Sequence, residues 1–270
     1  MEFLTILLSG FLAFISPAGV VIDRTAENAI RSQFSQVEQL QVRVDNAPSY
    51  QVVKGKVERV RVAGRGIWLT PDIRIDALEL ETDPINLDLQ RLRQGGKQSP
   101  LQSLRQPLQA GVRLVLTEEN INQALQSPAV IARLQQLSTR FLAASEGSLL
   151  QPSQLVNPRV KFLENNRLRF QTDLKQSSSN EPLSLTVESG LEILGGKRVQ
   201  LINPAVSVNG KPVPPFIVAA LQNSFSNRFD LRTLEDYGII ARLLQLKVNQ
   251  NQLEAAAFVR FEPSQGAGSP

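Results

Sequence analysis

Long runs in which apolar and polar residues alternate one for one constrain this chain more than any other feature. A strand points successive side chains to opposite faces, so each run has one dry and one wet face. That is the pattern of an antiparallel sheet solvated on one side. Val60 and Val62 alternate with Arg59 and Arg61, and Ile73, Ile75 and Ala77 with Arg74 and Asp76. Leu78 and Leu80 then alternate with Glu79 and Glu81, and the slip of one residue at Ala77-Leu78 predicts a β-bulge. Ile85, Leu87 and Leu89 continue the theme. The second half repeats it from Val160 to Val208, with Leu168, Phe170, Thr172 and Leu174 the clearest run, and Asn209-Gly210 a hairpin-turn signal. Strands over Leu243 to Val248 and Leu253 to Phe261 close the chain.

Helical spacing is scarcer. Ser16-Pro17 has the form of a helix start, followed by Ile22, Ala26, Ala29, Ile30, Phe34 and Val37 on one face, with the strand period taking over from Val42. Thr117 caps the segment TEENINQAL, and Ser127-Pro128 opens a helix striped by Val130, Ile131, Leu134, Leu137, Phe141 and Leu142. A further helix spans Val213 to Asn227, after the proline-rich KPVPP. Three or four helices must therefore cover roughly ten one-faced strands. Either the sheet curls over its helices, or part of its dry face is left for a ligand.

From Phe3 to Ile22 no charged residue occurs, close to the roughly 20 residues of a spanning helix. Ser9-Gly10 and Ser16-Pro17 interrupt that stretch, and Glu2 is the only charge before it. Residues 1–16 are read as an apolar segment, with retained anchor and cleaved signal both open. Residues 17–262 are read as one domain, with a polar Pro- and Gly-bearing loop at 94–109, and 263–270 as a disordered tail.

Composition narrows the chemistry. The chain has no histidine and no cysteine, which excludes Ser-His-Asp and Cys-His nucleophiles, His-based proton transfer and the usual zinc sites. No cofactor is expected, and the reading is non-enzymatic. The net charge of +4 fits loose attraction to anionic headgroups, and 6% aromatics with one Trp supply base-stacking poorly, so no nucleic acid is expected. The run KGKVERVRVAGRG offers Lys54, Lys56, Arg59, Arg61 and Arg65 as a headgroup-facing patch, alongside its reading as a solvated sheet face. Trp68, between Ile67 and Leu69, suits either a membrane–water boundary or a hairpin core. The acidic residues Asp72, Asp76, Glu79, Glu81, Asp83 and Asp88 lack calcium-loop spacing and read as solvated strand positions.

Three segments carry a likeness to a known family: NAPSYQVVKGKVERVRVAGRGIWLTPDIRIDALELETDPINLDL, VRLVLTEENINQAL and LLQLKVNQNQLEAAA. Together they resemble the LmeA-like phospholipid-binding family. Gly55-Lys56 and the run Leu78 to Leu89 match its Gly-plus-basic strand and the segment after it. Leu116-Thr117-Glu118, Asn120-Ile121 and Leu125 match its helix start. The resemblance implies an α+β fold similar to tubular lipid-binding proteins, a strongly curved antiparallel sheet wrapped around long amphipathic helices. It also implies phospholipid binding in the cell envelope, with acyl chains and a membrane surface as partners and a membrane-associated, periplasmic-side location. In that reading Val60, Val62, Ile67, Trp68, Leu78, Leu80, Val130, Ile131, Leu134, Leu137 and Phe141 meet acyl chains. Two other readings stand beside it, a ligand-free envelope scaffold and a carboxylate-dependent hydrolase. The first expects helices covering the whole sheet, the second paired buried acids with raised pKa.

Overall fold

The computed structural model describes residues 27–28, 30–45, 54–90, 103–144, 153–176 and 181–263. The expected apolar segment 1–16, residues 94–102 of the polar loop and residues 264–270 of the tail lie outside them. Antiparallel sheets dominate. The chain divides into two compact units, one of Met1–Val115, Leu231–Leu244 and Ala255–Pro270, the other of Leu116–Asp230 and Gln245–Glu254.

In the first unit the alternation seen in the sequence becomes a layered register. Strands β1 (Gln36–Asp45), β3 (Arg59–Thr70), β4 (Ile73–Thr82), β6 (Leu108–Thr117), β13 (Gln252–Phe261) and β12 (Ile239–Val248) lie side by side in that order in a six-stranded sheet. A two-stranded ribbon, β2 (Lys56–Val57) with β5 (Ile85–Asn86), accompanies it. Val42, Val62, Leu80 and Val112 form one row across four strands. The next row, Leu40, Gly64, Leu78 and Leu114, shares its face. Ile30 and Phe34 add two more buried side chains to this core.

Two local expectations are corrected. Helical residues end at Arg31, and Val37 lies in β1 opposite Ile67, so the strand begins before the period-two pattern is evident. Pairing with β3 there overrides the weak local helical spacing. At Ala77-Leu78 the buried face does switch, from Ile75 to Leu78, yet pairing with β3 runs unshifted through Leu78–Gly64, Ala77–Arg65 and Ile75–Ile67. The face switch is shared, because β3 turns over at Gly66, whose φ is +55°. A Cβ at Gly66 would run into the Glu38 side chain, so glycine is required there twice over. The pairing irregularity of this hairpin falls between Trp68 and Thr70 instead.

The second unit holds a five-stranded sheet in the order β11 (Lys211–Pro212), β10 (Arg198–Val208), β9 (Leu183–Leu194), β8 (Arg167–Gln176) and β7 (Ser153–Leu163). Asn209 and Gly210 both take positive φ and close the β10–β11 hairpin, as the sequence predicts. Asn165 and Asn166 do the same for β7–β8. Helix α1 (Glu118–Leu125) starts where expected: Thr117 Oγ1 accepts the Asn120 N–H at 3.1 Å, and the Asn120 side chain accepts the Thr117 N–H, a capping box. Helices α2 (Pro128–Ala144) and α3 (Pro215–Arg228) both open on proline.

Candidate functional site

The two sheets leave different surfaces available. In the first unit a groove of about 800 Å³ takes lining residues from all six strands of the sheet. Its exposed residues include Ala63, Gly111, Arg43 and Glu79, and Leu244 is 68% exposed. The charges there are cross-linked: Arg113 meets Glu79 at 3.1 Å, and Arg61 bonds Asp45, which also accepts from Arg43 at 2.8 Å. The Arg61 guanidinium holds the Asp45 carboxyl below its ordinary pKa, and Arg43 adds to that. Among the described residues no cluster of acids could hold a metal ion.

The second unit is different. Register places Val160, Phe170, Val187 and Val206 in one row across β7, β8, β9 and β10. Neighbouring rows on the same face carry Phe162, Leu168 and Ser189, and Thr172, Leu185 and Val208. On this face Phe162, Thr172, Leu174, Ser189, Leu191, Leu201 and Val206 are buried, while Val160 on β7, Leu168 and Phe170 on β8, Leu185 and Val187 on β9 and Val208 on β10 stay half-buried.

The cause is where the helices are used. Glu118, Asn122 and Gln126 stand at spacing four along α1 and just beyond it, one face of a helix. Each bonds the backbone of the outer strand β7. Glu118 accepts the Phe162 N–H at 2.7 Å, Asn122 accepts the Val160 N–H at 2.7 Å and donates to its C=O at 2.8 Å, and Gln126 donates to Pro158 C=O at 2.9 Å. Gln135 of α2 accepts the Leu155 N–H at 2.8 Å. On the opposite side of the sheet, Gln222 of α3 donates to Leu201 C=O at 3.0 Å, and Phe229 C=O accepts the Val199 N–H at 3.2 Å. Helices thus satisfy outward backbone groups of β7 and of the stretch of β10 that β11 does not pair, which an open edge would leave unpaired. Used on the edges, they leave a patch of the face less covered. Accordingly, no side chain of α3 is fully buried.

The side chains singled out from the sequence fall into separate groups. Val60, Val62, Ile67, Leu78 and Leu80 are 0–9% exposed and pack together in the first unit. Trp68 is half-buried beneath the Arg74 guanidinium, 5.0 Å from the ring centre, with Arg74 bonded in turn to Glu38 at 3.1 Å. Val130, Ile131 and Leu134 are half-buried on α2 in the second unit, and the side chains of Leu137 and Phe141 lie outside the described residues. Of the basic run, Lys54, Lys56, Arg59 and Arg65 are exposed, Arg59 meets Glu81 at 3.0 Å, and Arg61 is held by Asp45. The polar stripe Glu118, Asn122, Gln126 was a visible signal in the sequence, three hydrogen-bonding residues four apart beside an apolar stripe. The half-covered row through Phe170 and Val187 had none, because its alternation matches that of the buried rows.

Among the described residues no helix is long and apolar enough to cross a membrane. No curated protein and no solved structure matches the chain. The family model for LmeA-like phospholipid-binding proteins matches residues 13–258. The chain belongs to the LmeA-like phospholipid-binding family.

Proposed function

We infer that this protein is a non-enzymatic phospholipid holder or carrier at a membrane surface of the cell envelope, of the tubular lipid-binding kind. Its acyl-chain site is the half-covered apolar face of the five-stranded sheet. The observation that carries this reading is the half-covered apolar patch on that face, where Val160, Leu168, Phe170, Leu185 and Val187 all stay half-buried. Aliphatic side chains and one phenyl ring suit acyl chains, which bring bulk and no directional bonds. The α2 residues Val130, Ile131 and Leu134 offer apolar surface of the same half-buried kind. Val60, Val62, Ile67, Leu78 and Leu80 serve as the firm core of the other unit, next to Trp68. Lys54, Lys56, Arg59, Arg61 and Arg65 are candidate headgroup contacts, with Arg59 and Arg61 weakened for that role by their carboxylate partners.

Detergent-free protein titrated with a fluorescent phospholipid tests the reading. Saturable uptake is expected, and native mass spectrometry should show bound lipid at a fixed small stoichiometry. Protein that neither arrives with lipid nor takes it up would remove the basis for this function and favour a ligand-free scaffold.

A further inference from the structure

We propose that the turn joining β9 to β10, with the C-terminal end of α3, is the surface by which this protein docks on an anionic lipid bilayer. The inference rests on the lipid-binding reading, since a protein that loads acyl chains must reach the bilayer holding them, and it assigns that contact to a particular place. Leu194 is 44% exposed at the end of β9, and Phe229 is 48% exposed just after α3. They sit at the same end of the sheet. Leu194 pairs across the hairpin with Arg198, the next residue Val199 donates its N–H to Phe229 C=O, and Asp230 forms a bridge with Arg198. Phe225 lies against Phe229 with ring centres 4.5 Å apart, which steadies the exposed ring. Gly195 and Gly196 turn the chain with φ of +60° and +71°, and a Cβ at Gly195 would meet nothing within 4 Å, so the turn projects into open space.

Charge decides which partner fits. Residues 193–199 and 213–229 hold three cations, Lys197, Arg198 and Arg228, and no acid. The nearest acids in sequence are Glu192, which accepts from Gln200 at 2.8 Å, and Asp230 at the bridge. Exposed apolar side chains beside Lys197, Arg198 and Arg228 match a layered target, negative headgroups above hydrocarbon. An apolar tip of this kind on a water-facing surface otherwise invites self-association.

The experiment is flotation of the full chain with vesicles of phosphatidylcholine mixed with phosphatidylglycerol, and of phosphatidylcholine alone. A parallel assay follows uptake of a short-chain fluorescent phospholipid below its micelle concentration. The unaltered chain is expected to float with the mixed vesicles. L194D/F229D should reduce that association about tenfold or more, and K197E/R228E about tenfold on the mixed vesicles only, each leaving monomer uptake unchanged. F229W in a W68F background, where residue 229 carries the chain's single indole, should be quenched by brominated lipid. Vesicle association that survives L194D/F229D, or an unquenched F229W, overturns the docking surface. So does a tip whose substitution abolishes only a dimer seen by sedimentation velocity. No monomer uptake together with Phe229-dependent flotation refutes the acyl-chain site while supporting the docking surface.

Discussion

The two sheets carry the same alternating pattern and end up with different dryness. In the six-stranded sheet Val42, Val62 and Leu80 are buried and Val112 half-buried, whereas in the five-stranded sheet Val160, Phe170 and Val187 are half-buried and Val206 buried. Apolarity does not explain the contrast, since Phe170 offers more apolar surface than Val62. What differs is the cover. The first unit adds Ile30 and Phe34 to its core, while the second spends helix side chains on the backbone of its outer strands. A hydrogen-bonding stripe on a helix pulls it to a sheet edge, and an apolar stripe pulls it to a face.

The largest effect that sharpens this contrast is a truncation made in both sheets. Leu78→Ala should cost about 2–5 kcal/mol in urea denaturation, because it opens a hole in a packed row. Phe170→Ala should cost visibly less, about 1–2 kcal/mol, since part of its surface is wet when folded. Equal losses would mean that the two faces are equally filled. Next comes the edge. Asn122→Leu keeps the bulk and strips both bonds from Val160, so about 2–3 kcal/mol of stability should go. Hydrogen exchange should report the loss at Val160 first; an unchanged rate there would show that α1 does not hold β7.

A third substitution acts on binding. Val187→Trp fills the middle of the half-covered face and should weaken phospholipid uptake about tenfold, equivalent to about 1.4 kcal/mol, with little change in melting temperature. Val62→Trp, its counterpart in the packed sheet, should unfold the protein more readily by about 1–3 kcal/mol. Uptake that is indifferent to Val187→Trp would move the lipid elsewhere. Smaller still is a pH effect on the wet face of the five-stranded sheet. Arg169, and after it Arg167, hold the Glu188 carboxyl below its ordinary pKa. The folded state therefore binds that proton more weakly than the unfolded one, so this cluster adds stability above the ordinary carboxylate range and loses it as pH falls below. Glu188→Gln should lessen the fall in Tm between about pH 5 and about pH 3, and leave uptake alone. At the bottom of the scale, Arg59→Ala should change stability by no more than about 0.5 kcal/mol, because its bond to Glu81 joins two half-exposed side chains in water.

Much of the fold was legible. Alternation gave the strands from Arg59 to Glu81 and from Leu168 to Val187, the Thr117 cap and Ser127-Pro128 gave two helix starts, and Asn209-Gly210 gave a turn. Each is a local signal, read over a few residues, and local stereochemistry enforces each. Val37 was misplaced because its neighbourhood carries a weak helical spacing that a long-range partner, Ile67, outweighs. Gly66 was unremarkable in the sequence until β1 was laid against it. The candidate site was less legible. Val60, Val62, Leu78 and Leu80 stand out in the sequence more sharply than Phe170 or Val187, yet they are the drier residues.

By itself the sequence determined which side chains share a face, where several turns fall, which chemistries lack their residues, and the family. Only the tertiary structure decided how many strands join each sheet and which of two equally apolar faces remains open. The physical reason is that the direction of a side chain is set within two residues. Its dryness depends on what packs on it from dozens of positions away, and here that cover was diverted by hydrogen bonds to the edges.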